Sequence, residues 1–158
     1  MATTLSAATM TVSITESVTL NGKNQGGTQT LSIPSIATVS KRIIDVPASE
    51  VEILAMSTAV AAGTFIESDV LYIRITNLDD TNHVTLLFKN EDNDEFAVKL
   101  DKGQTFIYNG DLSGGVVDTM DAQDGGADLA ANTFADLVNI TAIADTAACD
   151  VEVFVACK

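Results

Sequence analysis

One histidine, two cysteines and several groups of carboxylates are the side chains whose types could do chemistry. His83 stands beside the polar stretch Asn77–Asn82. A general base there needs a nucleophile and an orienting group within hydrogen-bond reach, and the sequence places neither. His83 is read as an exposed residue at a strand start. Cys149 and Cys157 lie in an apolar alternating stretch, where a thiol stays inert. Eight residues apart on one strand, they would sit ~27 Å apart, far beyond the ~7 Å that a disulfide spans. They are read as two small buried apolar residues, with an intermolecular bridge or a metal site as the other reading.

The carboxylates offer two further chemistries. Asp79 and Asp80 could imitate the paired acids of a glycosidase, yet the chain has no Trp to platform a sugar. Asp118-x-x-Asp121-x-x-Asp124-Gly125-Gly126-x-Asp128 puts four carboxylates in eleven residues. Calcium takes oxygen ligands from such flexible loops. The spacing is not that of an EF-hand and no bidentate Glu follows, so a solvated acidic loop is the plainer reading. No nucleophile elbow, phosphate loop or zinc-protease helix is present. The expectation is a protein that is not an enzyme and carries no cofactor, calcium at Asp118, Asp121, Asp124 and Asp128 being the one exception to test.

The elements that must position these residues are strands. Apolar and polar residues alternate almost throughout, and helical periodicity is nearly absent. In Thr9–Leu20, Met10, Val12 and Ile14 point one way and Thr11, Ser13 and Thr15 the other. Asn21-Gly22 opens a polar turn, and Thr28–Ile33 answers as a second strand that Pro34 should end. Ala37–Val46 and Glu50–Ser57 follow. In Val70–Asn77, Leu71, Ile73 and Ile75 form the core face, and Val70, Tyr72, Arg74 and Thr76 the other. His83–Lys89, Glu95–Leu100 and Thr105–Tyr108 complete an antiparallel meander with it. Residues 109–133 are rich in Gly, Asp and Ala. Asp111–Asp128 reads as a long surface loop, with a helical turn at Asp128–Phe134. Leu137–Ala144 and Cys149–Cys157 close the chain, with Val151, Val153 and Val155 inward and Asp150, Glu152 and Phe154 outward. About ten antiparallel strands with polar turns predict an all-β sandwich or jelly roll. Residues 1–10 are read as an N-terminal arm and 11–158 as one domain.

The chain has 158 residues, eight Lys and Arg against 22 Asp and Glu, and a net charge of −14. That balance disfavours nucleic acid and an anionic membrane surface as partners. Met1–Ala8 has neither the basic nor the apolar region of a secretory leader, so synthesis in a cytoplasm is expected. The only adjacent cations are Lys41-Arg42. Arg74, mid-strand on the polar face, should pair with Glu95 or Asp45 or contact another subunit, because Arg is enriched at interfaces.

Three stretches carry a resemblance: Val70–Asn82, Val84–Phe88, and Asp94–Tyr108. With the Val18–Gly22 hairpin, Lys41–Pro47 and Thr146–Phe154, the chain resembles small virion structural proteins of tailed bacteriophages, marine phages in particular. The resemblance rests on strand cores and turns. It implies a β-sandwich virion component without an active site, made in the host cytoplasm. The expected role is a homo-oligomeric capsid decoration (cement) protein, a trimer if it sits on threefold sites. Its partners would be itself and the major capsid protein or other virion proteins, through Met1, Leu5, Met10, Lys41, Arg42 and Arg74. A tail or fibre component is the nearest alternative. A carbohydrate-binding module, needing exposed Tyr72 or Tyr108, is the third.

Overall fold

In the computed structural model, which describes residues 5–122 and 134–158, the chain is all-β. The strands are β1 (Ala8–Thr15), β2 (Thr19–Leu20), β3 (Lys23–Asn24), β4 (Thr28–Ile36), β5 (Thr38–Val46), β6 (Val51–Ser57) and β7 (Phe65–Ile66). After a 3-10 turn at Glu67–Asp69 come β8 (Val70–Asn77), β9 (Val84–Asn90), β10 (Glu95–Leu100), β11 (Thr105–Asn109), β12 (Leu137–Ala144) and β13 (Cys149–Cys157). One sheet runs β11-β8-β13-β5 and the other β10-β9-β12-β6-β7. They form a β-sandwich. All pairings are antiparallel except the short β6–β7 contact.

The two sheets meet over a core set by alternation. Ile73 and Ile75 of β8 and Val151, Val153 and Val155 of β13 face Leu86 and Phe88 of β9 and Ile140 of β12. Phe88 stacks on Phe96 at 4.7 Å between ring centroids. Both cysteines are free and buried at the two ends of β13. Burial pushes the Cys157 thiol up to about 11, which leaves it inert at neutral pH.

The expected meander does not form. β9 and β10 pair as a hairpin, but β8 pairs with β11 and β13 while β9 pairs with β12. The segments 78–83 and 101–104 therefore cross between sheets. Asn77 holds both crossings. Buried completely, its amide donates to the carbonyls of Asn82 (3.0 Å) and Leu100 (3.2 Å) and accepts from the Asp79 N–H (3.0 Å).

Three local expectations also change. Leu71 does not share the core face of Ile73 and Ile75. Tyr72 pairs with Ala156 and Val70 with Cys157, so Leu71 is the extra residue of a bulge. A bulge breaks alternation, and Leu71 joins Tyr72 in a second cluster on the outer face. Pro34 does not end β4. It sits in a bulge with Ser35 (φ 64°), between the pairs Met10–Ile33 and Ala8–Ile36, a position where a missing donor is tolerated. The expected surface loop starting at Asp111 turns inward over 111–122. Val116 and Met120 are buried in the main core, and Met120 bridges to Ala135.

A third layer lies on the outside. Among the described residues β1 and β4 pair only with each other. With β2 and β3 they make one hairpin, Ala8–Ile36, turned at Asn21 (φ 50°) and Gly22 (φ 76°). Positive φ at both turn positions is what an Asn-Gly hairpin needs. The arm boundary expected at residue 10 thus falls inside β1. The hairpin's apolar face packs on the outer side of the β11-β8-β13-β5 sheet. Met10, Val12, Ile33 and Ile36 cover Leu71, Tyr72, Ala156, Ile107 and Phe154.

Candidate functional site

The hairpin and the sheet face beneath it gather Met10, Tyr72, Lys41 and Arg74 of the residues singled out in the sequence. Direct pairing across β8, β13 and β5 aligns Arg74 with Phe154 and Phe154 with Lys41. All three therefore stand on the outer face. Arg74 donates from Nη2 to Glu152 Oε1 at 2.6 Å and from Nη1 to Thr76 Oγ1 at 2.9 Å. Lys41 Nζ lies 3.0 Å from the other oxygen of Glu152. These two cations, Lys41 first, hold the Glu152 carboxyl below its usual range. Arg74 thus pairs with Glu152, and neither Glu95 nor Asp45 is its partner. Its guanidinium also lies 5.7 Å from the Phe154 ring centroid, and Phe154 meets Tyr72 edge-on at 6.0 Å. Arg42 faces the opposite way and donates to the carbonyl of Ile53 on β6, closing the seam between the sheets.

Met10 is half-buried in β1, over Tyr72 and Phe154. Leu5 is exposed. Met1 lies outside the described residues. So do Asp124 and Asp128 of the acidic motif. Asp118 is exposed, with its N–H on Asp136 Oδ1 at 2.8 Å, and Asp121 is half-buried. Among the described residues no group of three or more His, Cys, Asp or Glu is placed to hold a metal ion.

The remaining candidates have local partners. Asp79 accepts from the N–H groups of Thr81 (2.7 Å) and Asn82 (2.5 Å), which lower its pKa and make it the staple of its own loop. Asp80 accepts from the Thr81 hydroxyl. His83 is half-buried rather than exposed, with Nδ1 3.4 Å from Asp145. Tyr72 is buried, and the Tyr108 hydroxyl is tied to Thr119 at 3.0 Å. Neither is presented to solvent as a sugar platform.

Sequence reasoning missed one cluster. Glu67 is buried in the turn before β8, hydrogen-bonded to Asp136 and near Glu91. Burial, then the charges of Asp136 and Glu91, raise its pKa. The three acids come from distant parts of the chain, and no local pattern joins them.

Sequence reasoning also missed how far the hairpin runs free. Of residues 13–32 only Gly26 is even half-buried. The ladder nevertheless continues outward, with Glu16 N–H on Gly27 O and Gln25 N–H on Val18 O, both at 2.9 Å. Gly26 is required there, since a Cβ would meet the Glu16 carbonyl at 2.0 Å. Ile14, Val18, Leu20 and Leu31 stay exposed, Leu20 at 59%. A two-stranded ribbon in water is marginal alone, and this one carries apolar side chains that no other described residue covers.

Charge is divided in the same way. Residues 1–36 hold one acid, Glu16, and one base, Lys23, whereas residues 37–158 hold seven Lys and Arg against 21 Asp and Glu. The entire net charge of −14 lies on the body and none on the hairpin. No protein-family model and no curated protein matches the chain.

Proposed function

We propose that this protein is a non-enzymatic structural component of a phage virion, a homo-oligomeric capsid decoration protein. The observation that carries the assembly role is the ribbon of residues 13–32, which projects apolar side chains from a closed acidic sandwich. Elements of that kind are completed by a neighbouring surface. The virion setting rests on the resemblance of the strand cores and turns. The strand order supports the jelly-roll reading of the fold. β5-β13-β8-β11 faces β6-β12-β9-β10, and apart from the β9–β10 hairpin successive strands of these eight pass from sheet to sheet, the order that two Greek keys give.

On this reading the protein binds assembled capsids and stabilises them by mass action. The acidic body keeps free subunits soluble and faces away from packaged DNA. The burial of Tyr72 and the tethering of Tyr108 favour this over a glycan-binding module. Light scattering and co-sedimentation with capsids of the source phage test it. Saturable addition with a rise in capsid melting temperature is expected. A defined oligomer that ignores capsids moves the protein to the tail or fibre, and a lone monomer that binds neither refutes the reading.

A further inference from the structure

We infer that the free ribbon of one copy docks in a groove on the outer face of a second copy, beside β5, joining subunits head to tail. This deepens the proposed function, on which the homo-oligomer rests. The groove lies along β1, has a volume of about 400 Å³, and is bounded by Met10–Ser13, Tyr72, Arg74 and Phe154. Beyond it, β5 is the outermost strand of its sheet. Val39 (52% exposed) and Ile43 (59%) stand on its outer face beside Lys41. A long edge with exposed apolar side chains is a template for another chain.

Three observations select a second copy as the occupant. First, charge: two bodies of −14 repel, but the ribbon holds only Glu16 and Lys23. Arg74 in the groove and Lys41 on β5 beside it are already paired with Glu152. These two surfaces can meet without bringing net negative charge together. Second, size: residues 13–32 match the roughly 20–30 residues that each side of a stable interface contributes. Third, direction: the ribbon leaves its own sheet over β11, where Ile14 and Leu31 lie by Ile107 and Asn109. β11 and β5 are opposite edges of that sheet, so the ribbon's base borders its own groove while its free end points away from the β5 side. Donor and acceptor on opposite edges make a heterologous contact, which closes into a ring when the rotation allows.

The test is the solution mass of the full chain by light scattering. Wild type is expected as a defined oligomer. Val18→Lys with Leu20→Lys, on the ribbon, and Val39→Lys with Ile43→Lys, on the acceptor strand, should each reduce the mass to one chain. All four side chains are exposed, so circular dichroism should stay that of the folded protein. Val60→Lys, at the most exposed large apolar side chain among the described residues (87%), should leave the oligomer intact. A monomeric wild type, or an oligomer that survives either double substitution, overturns the inference. Capsid co-sedimentation is read separately. A monomer that still binds capsids ends the ribbon exchange and spares the virion reading. An oligomer that breaks as described but binds no virion part does the reverse.

Discussion

Ile33→Ala should loosen the hairpin without unfolding the sandwich. Ile33 is 1% exposed and packs between the ribbon and the outer face of the β11-β8-β13-β5 sheet. The hairpin forms no ladder with either main sheet. Among the described residues, its junction to the body is a single backbone bond, Ala37 N–H to Cys157 O at 2.9 Å. Side-chain burial must therefore hold it down. Ile33 and Ile36 are nearly fully buried, and Met10 and Val12 partly so. At about 1.5–3 kcal/mol for a fully buried side chain, the gross docking energy is roughly 5–8 kcal/mol. Part of that is offset by ordering the ribbon. Truncating a buried Ile to Ala costs about 2–5 kcal/mol, and the surface layer can settle into part of the space. A loss near 3 kcal/mol, or roughly a hundredfold in the opening equilibrium, follows. Hydrogen exchange read by mass spectrometry, at dilution where the chain is monomeric, checks this. Peptides from 8–36 should exchange about a hundredfold faster, while peptides from β9, β12 and β13 stay protected. Equal deprotection of β13 and the hairpin would refute the reasoning, because the ribbon would then be part of one cooperative unit.

Two further outcomes follow from buried polar groups. Asn77→Ala removes the donors for Asn82 O and Leu100 O and the acceptor for the Asp79 N–H. Leaving these groups unsatisfied should cost about 2–4 kcal/mol in urea unfolding; a loss below ~0.5 kcal/mol would mean that the crossings do not depend on it. Glu67 has a folded pKa raised above its ordinary 4.5, so the folded state holds the extra proton and stability falls as pH rises from 4.5 through the raised value. Glu67→Gln, which can still donate to Asp136, should remove that fall and raise the melting temperature at neutral pH. An unchanged pH profile would contradict the clustered arrangement of Glu67, Asp136 and Glu91.

The faces of the strands were legible, and their partners were not. Alternation in Cys149–Cys157 put Val151, Val153 and Val155 inward, as found. Asn21-Gly22 announced its turn because few other pairs accept two positive φ angles. Alternation states which side chains share a face but not which strand lies alongside. The expected meander from β8 to β11 therefore became two sheets. Leu71 was misplaced because a bulge has no signature in a run where both neighbours are apolar. Val116 and Met120 carry no periodicity, since they enter the core from an irregular segment. Arg74 found Glu152, 78 positions away in sequence. The sequence offered Arg74 as an interface residue, and the fold sets it on the wall of the groove beside the ribbon.

The ribbon's exposure was the least legible feature, because an apolar face reads the same whether or not it finds a partner. Its physical form still limits what it can bind. Thr11, Ser13 and Thr15 on β1 pair with Ser32, Thr30 and Thr28 on β4, so one face is a uniform field of hydroxyls. Met10, Val12, Ile14, Leu31 and Ile33 make the other. Such a ribbon presents a single sticky side, and half of that side is already seated on its own sheet. An exposed hairpin is an aggregation hazard. Here the hazard is confined to one side of a few residues and opposed by an acidic body of −14. Indiscriminate stacking of ribbons would bring those bodies together at the cost of their repulsion. Seating one ribbon at the far edge of a neighbour's sheet covers the apolar side and keeps the bodies apart. On the proposed docking, the division between a neutral ribbon and a charged body therefore favours ordered addition over aggregation.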